Sequence, residues 1–571
     1  MEISYKLSIP NPESHYICVT MDIKNISDKN LDLFIPSWSP GSYLMREYAK
    51  NVKFVHVENS KGQRLFVDKI SKETWRVNTQ IDDQINDHII VKYQIYCHEL
   101  TVRTSHVDLS HAFIHGPSVF MSAIGAKGKI VLEIEMNPNW SKVTTTLKDI
   151  STKREVFLYE ASDYDTFIDT PIEIGNHETD GFMYDGKPHE LATYGGFLGD
   201  QTRFKKDIKK IVEHIARTVG ELPYERYLFL SHFCPKLYGG LEHLDSTVLQ
   251  YDSYKMNDKK DYHGWLELVA HEYFHLWNVK RIRPKELGPF DYRNEAYTRM
   301  HWLTEGLTSF MDQLFIFRAD FITLEEYLEL IKDNINKYLS IPGRKYHSLE
   351  DSSFDTWIKL YRADENHNNT SISYYLKGGL VFFVFNIMLT KFDISIVEFI
   401  RELWSLYKKD PSVGLEEEDV FNLITKLTNK DCSEEFEHLV KSVEDIDFGT
   451  YLKEVGVEIE YEKEKLDLGF DVSFKGERVF VKSVREDSAA YKYGISAGDE
   501  IISLNGFRFL KDDYQSLDKI LNENTVYKFV VSRLGYMTPL KIMPAKGIKK
   551  IKMLKVLDTD LAHTKLRGTK V

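Results

Sequence analysis

The run WLELVAHEYFHLWNVKRI, residues 265–282, constrains this chain more than any other stretch. Trp265, Leu266, Leu268, Val269, Phe274, Leu276 and Val279 recur at helical spacing and predict a buried helix. On such a helix His271 and His275 stand four residues apart, so both imidazoles share one face and can reach one metal ion. Glu272 falls at the edge of that face, where a carboxylate can handle protons without being a ligand.

With 20 histidines in 571 residues a chance HExxH is not rare, so the surrounding sequence must carry the assignment. A second apolar-periodic stretch, AYTRMHWLTEGLTSFMDQLFIF, offers Glu305 as a third ligand. Two histidines and one glutamate, with the fourth position left to water, is the donor set of a single catalytic Zn(2+). His301, four residues before Glu305, shares its helix face and competes as a ligand or supporting group; His263 and His243 flank the same region.

A chain of 571 residues needs two to four cores. The net charge of -13 and pI of about 5.9, with no basic stripe, argue against nucleic acid as a partner. Cys18, Cys97, Cys234 and Cys432 are too scattered for a disulfide framework or a cysteine metal site. The first residues show no basic segment followed by an apolar one, and the longest apolar run, residues 379–389, is too short to span a bilayer. A cytoplasmic enzyme without membrane contact is the expectation; the oligomeric state is not legible.

Residues 1–170 alternate short Val-, Ile-, Tyr- and Phe-rich runs with Asn, Asp, Gly and Pro turns and predict an all-β, sandwich-like domain. Its Pro-rich stretch IPSWSPGSY, residues 35–43, is a rigid loop that plugs the sandwich or faces the next domain. Residues 171–450 predict an α+β catalytic domain with a mostly helical lower half. Within it, QTRFKKDIKKIVEHIARTVG is a helix capped by Gly220, and Tyr238–Gly239–Gly240–Leu241–Glu242–His243 reads by composition as a turn. Residues 451–548 form a separate β-rich module, and 549–571 an uninformative tail.

A donor besides the metal must meet the developing oxyanion, and a tyrosine hydroxyl suits that task. Tyr374 and Tyr375, adjacent at a helix start, are both candidates. Asp312, Asp291 and Glu295 are the available carboxylates to support a ligating histidine.

Together these residues resemble the M61 metallopeptidases, the glycyl aminopeptidase family of the thermolysin-like gluzincin group. PSWSPGSYLMREYAKNV from Pro36, HEYFHLWNVKRIRP from His271 and WLTEGLTSF from Trp302 carry the resemblance, which spans nearly the whole chain. It implies that Glu305 is the third ligand. It also implies that Glu242 binds a substrate α-ammonium, that Gly239 and Gly240 pair with the peptide as an edge strand, and that Tyr375, in Tyr-Leu-Lys-Gly, is the transition-state tyrosine. Where thermolysin has an aspartate four residues after its glutamate, this chain has Ser309, which leaves the support of His271 unassigned. Asn278, Lys280 and Arg281 belong to the family-like stretch, with packing or solvation favoured over substrate binding. The module LDLGF…SVREDSAAYKYGISAGDEIISLNG resembles a PDZ domain, implying capture of a C-terminal peptide or partner.

The implied fold is therefore an N-terminal β-sandwich-like domain, a thermolysin-like α+β domain and a C-terminal PDZ-like domain. The implied activity is a zinc aminopeptidase acting on peptides, favouring Gly or Ala at the amino terminus. Competing readings are a zinc endopeptidase or narrow dipeptidase, or a catalytically silent PDZ-bearing adaptor.

Overall fold

Strand periodicity carries through to the N-terminal architecture. In Tyr16–Lys24 the residues Ile17, Val19, Met21 and Ile23 are buried while the intervening ones face outward, the alternation of a sheet with one face on a core. This strand is central in a seven-stranded sheet that also holds Glu2–Ser8, Ile130–Glu135 and His88–Tyr96. Two four-stranded sheets, one containing Asn30–Phe34 and Thr74–Asn78, the other His111–Ile114 and Ile172–Gly175, share the same apolar core. The computed structural model describes residues 1–82, 84–153, 156–428 and 431–568.

The catalytic region begins as a five-stranded sheet in the order Glu178–Tyr184, Lys187–Gly195, Tyr227–Phe233, Ser246–Tyr251, Tyr238–Glu242. The YGGLE segment is thus a strand, not the turn its glycines suggest. It pairs antiparallel with Ser246–Tyr251 and forms the edge of the sheet. The helix Gln201–Val219 ends on Gly220 in the left-handed conformation, as its sequence predicts.

Three helices build the rest of the site: α1 (Lys259–Phe274), α2 (Leu307–Arg318) and α3 (Tyr374–Leu389). Asp258 caps α1 by accepting from the Asp261 amide, and Trp265, Leu266, Val269, Tyr273 and Phe274 bury its apolar side. Each such side chain contributes roughly 1.5–3 kcal/mol by leaving water, which fixes the rotation of the histidine face. α3 is apolar on nearly every face, and all of its residues except Tyr375, Leu376 and Gly379 are buried. Tyr374–Phe392 is apolar and long enough to cross a membrane, yet 67% of its most apolar window is buried inside the protein. All four cysteines are free thiols.

The PDZ-like sheet has its own core from Leu468 to Ile542. Residues 551–568, uninformative by sequence, pack on the rest of the chain. Ile551–Val556 pairs with Val457–Tyr461, and Ile551, Leu554, Ala562 and Leu566 belong to the catalytic core. Arg567 and Arg318 exchange hydrogen bonds with each other's carbonyl oxygens at 2.7 Å. The four apolar anchors are too sparse among lysines to show a period in the sequence.

Candidate active site

The end of α1 brings His271 and His275 together, and a wide π-turn, Trp302–Gly306, swings Glu305 toward them. His271 Nε2 and His275 Nε2 are 3.0 Å apart, and Glu305 Oε2 lies 3.5 Å and 3.2 Å from them. The other ring nitrogens are committed: His271 Nδ1 donates to Asp312 Oδ2 at 2.8 Å, and His275 Nδ1 donates to the Asn278 carbonyl at 2.6 Å. Both Nε2 atoms therefore present lone pairs to each other and to a carboxylate, and Glu305 Oε2 is buried without a hydrogen-bond partner. Such a convergence of acceptors is satisfied by a cation, and the donor set suits zinc.

Asp312 is the supporting carboxylate, not Asp291, which instead organises its own loop by accepting from Arg293 and Asn294. Asn278 has a structural task. Its side-chain amide donates to the carbonyls of Leu303 and Thr304 and to Thr308 Oγ1, tying the π-turn to the end of α1. Lys280 donates to Asp169 at 2.6 Å and Arg281 to the carbonyls of Leu244, Leu276 and Pro223, so both brace the framework. His301 is packed under the Tyr43 ring at 3.9 Å and bonds Thr304 Oγ1. His301 and His263 lie outside every His, Asp and Glu cluster able to hold a metal among the described residues, and so does His243, whose Nδ1 faces Asp169.

Glu272 and Glu242 converge on the same space, with one ligand atom of each within 4.8 Å of the other and of His275. Both are buried, and Glu272 Oε2 and Glu242 Oε1 have no hydrogen-bond partner. Burial, opposed by His271 and His275 and assisted by Glu242 and Glu305, raises the Glu272 carboxyl to about 7. Burial works against charge on His271, yet Asp312 and Glu305 raise its pKa well above the usual range, so a proton on Nε2 competes for the place a cation would fill. This is the potential of a pocket shaped for positive charge.

Two close approaches explain the glycines. A Cβ on Gly240 would lie 2.0 Å from Glu272 Oε1, so the edge strand rests directly on that carboxylate. From the N-terminal domain, Gly41, at φ +82°, presses on Glu242 so closely that a Cβ would lie 2.5 Å from Oε1. The Pro-rich loop therefore faces the next domain, where Trp38 Nε1 also donates to the Asp291 carbonyl. A third contact joins Gly306 beside Glu305 to Gly378 in α3, with a Cβ on either 2.8 Å from the other's Cα.

That contact places Tyr375 beside the metal-binding face, its ring 6.4 Å from that of His271. Its hydroxyl pairs with that of Tyr361 at 3.1 Å, while Tyr374 turns away to Thr356 Oγ1 at 2.9 Å. Burial and the nearby Glu305 keep the Tyr375 phenol protonated. Tyr361 and Arg103, which donates to the Gly240 carbonyl at 3.2 Å, escaped the sequence reading. Neither sits in a motif, and Arg103 arrives from another domain. A cavity of about 300 Å³ borders Tyr43, Glu242, His243 and Lys280, and another of about 430 Å³ borders Tyr238, Asp312, Gln313 and Tyr375.

The M61 glycyl aminopeptidase model matches residues 264–381, the peptidase M61 N-terminal domain model residues 4–176, and the PDZ domain model residues 453–525. No curated protein matches the chain. Among solved structures the chain is similar to an aminopeptidase N family protein from Idiomarina loihiensis, with 27% identity and a TM-score of 0.92 over 99% of this chain and 100% of that one. Aminopeptidase A from Legionella pneumophila shares the fold at 14% identity and a TM-score of 0.50, over 84% of this chain and 51% of its own. With the two M61 models together covering just over half of its length, the chain belongs to the M61 glycyl aminopeptidase family and is an aminopeptidase.

Proposed function

We propose that the enzyme releases a small residue, glycine or alanine, from the amino terminus of peptides, with one zinc ion held by His271, His275 and Glu305. The observation that carries this reading is Glu242: a buried carboxylate with an unpartnered oxygen, set beside Glu272 at the end of an edge strand. A substrate α-ammonium satisfies that oxygen. Gly41 packs against the same carboxylate from the N-terminal domain. The edge strand Tyr238–Glu242 offers backbone groups for the peptide to pair with, at Gly239 and Gly240. The rest of the peptide leads toward the cavity bordered by Tyr238, Gln313 and Tyr375.

When bound, zinc supplies Lewis-acid polarisation of the scissile carbonyl and a water acidified toward neutrality. Glu272, buried beside the two imidazoles, is placed to take a proton and return it to the departing amine. Tyr375 donates its O–H to the developing oxyanion, with Tyr361 fixing its direction. Asp312 and the Asn278 carbonyl hold the two imidazoles in the tautomer that leaves Nε2 free for the metal. The PDZ-like module takes a peptide C-terminus alongside its edge strand Phe470–Lys475.

Glu272→Gln tests the chemistry. The variant should keep its zinc and lose turnover by roughly 10²–10⁴-fold. Zinc retained in the unmodified chain with no turnover of any peptide would favour the adaptor reading instead.

A further inference from the structure

Four histidines gather where the N-terminal sheets meet the catalytic sheet: the ring centroids of His98 and His106 are 6.5 Å apart, those of His106 and His111 5.1 Å, and those of His111 and His232 5.8 Å. His106 and His111 lie on a short hairpin, and Asp108 opens its turn. One ligand atom from each of His106, Asp108 and His111 lies within 4.8 Å of the other two, and His106 Nε2 is 3.3 Å from Asp108 Oδ2.

The rings are oriented as in the HEYFH pair, where one imidazole is backed by a carboxylate and the other by a carbonyl. His111 Nδ1 donates to Glu173 Oε1 at 2.6 Å, and His106 Nδ1 donates to the His98 carbonyl at 2.7 Å. Each ring therefore keeps a lone pair on Nε2, and His111 Nε2 is fully buried with no hydrogen-bond partner. Glu173 is steadied by His232 Nε2 at 3.0 Å, which in turn meets Gln250. Asp108 Oδ1 accepts from the Ser110 amide and hydroxyl and from the His111 amide, while Oδ2 faces His106 Nε2.

We propose that His106, Asp108 and His111 bind a second divalent cation of the zinc class, with an open position for water. The histidine and carboxylate donors and the backing of each imidazole suit such an ion. The neighbouring trio His111, Glu173 and His232 is also close enough to hold one. There, however, both histidines already donate to the two Glu173 oxygens, and all three side chains are sealed from solvent. At His106 and Asp108, 12% and 37% of the side-chain surface stays accessible. Such an ion orders the hairpin against which the catalytic sheet packs: Tyr194 stacks on His111 at 3.4 Å and its hydroxyl meets Ser110 Oγ at 2.7 Å.

The test is zinc stoichiometry of the full chain after chelation and reconstitution with zinc alone. The unmodified protein should hold two ions, and a His271→Ala/His275→Ala variant one. Adding His106→Ala or Asp108→Asn to that variant should leave none. The melting temperature of the His271→Ala/His275→Ala variant should rise with zinc, and the rise should vanish with His106→Ala. Both hairpin residues are partly exposed, so their replacement does not open the core. One ion in the unmodified chain would overturn the proposal, as would an ion that survives His106→Ala and Asp108→Asn but is lost with His232→Ala. Neither result touches the assignment of the HEYFH site.

Discussion

Adjacent glycines on the edge strand should behave oppositely. Alanine at Gly240 places a Cβ 2.0 Å from Glu272 Oε1, 2.4 Å from Cδ and 2.6 Å from Cγ. Ordinary contact begins at 3.4 Å, so the carboxylate or the strand must yield by more than an ångström. A displacement of about 1 Å at a reacting group costs on the order of 10²-fold in rate, or about 2.7 kcal/mol of barrier. At Gly239 the added Cβ meets only Val102, at 3.5 Å from Cγ2 and 3.7 Å from Cγ1, ordinary contacts. Steady-state kinetics on an alanyl substrate should therefore show kcat lowered about 10²-fold for Gly240→Ala, with zinc content retained. Gly239→Ala should leave kcat within about twofold, because its Cβ faces Val102 rather than Glu272 and the backbone groups offered to the peptide stay in place. If Gly240→Ala keeps nearly full activity, or the two variants lose activity equally, the packing of the strand on the general base is not what positions it.

Tyr375→Phe should lower kcat by roughly 10²–10³-fold, the usual loss of an oxyanion donor. Tyr374→Phe removes only the bond to Thr356 and should cost about 1 kcal/mol of stability with kcat unchanged, as kinetics and denaturant unfolding together would show. Lys377 gives a pH signature. Burial, partly offset by Asp445, lowers it to about 8, below an unfolded value of about 10.4. Between those values the unfolded chain binds the extra proton, so folding is favoured progressively as pH rises and gains about 3 kcal/mol. Urea unfolding of the unmodified chain against Lys377→Met at pH 7.5 and 10.5 should show the difference shifting by that order toward the unmodified chain, and a flat difference would refute it.

What the sequence makes legible is what local periodicity encodes. His271 and His275 announce themselves by i, i+4 spacing, and Glu305 by a second apolar helix. Strand alternation in residues 16–24 reads directly as a half-buried sheet. What it hides depends on contacts between distant segments. Asp312 supports His271 from 41 positions away, and the π-turn breaks the 3.6-residue period that would point to Ser309. The edge strand at Tyr238–Glu242 reads as a turn by composition because its glycines answer to Glu272 rather than to chain reversal. Arg103 and Gly41 reach the site from the N-terminal domain, so no motif around HEYFH can contain them. The resemblance to a family supplied roles for Glu242 and Tyr375; the geometry adds why each needs its neighbours.

The central claim is that Glu242 selects the amino end of a peptide for a zinc site behind it. Its most direct test is the ratio of kcat/KM for a glycyl or alanyl peptide with a free amine to that for the same peptide N-acetylated, in the unmodified enzyme and in Glu242→Gln. The ratio should be large in the unmodified enzyme and collapse in Glu242→Gln, because only the free-amine substrate suffers. Equal losses on free and blocked peptides, or an unmodified enzyme indifferent to acetylation, would contradict it.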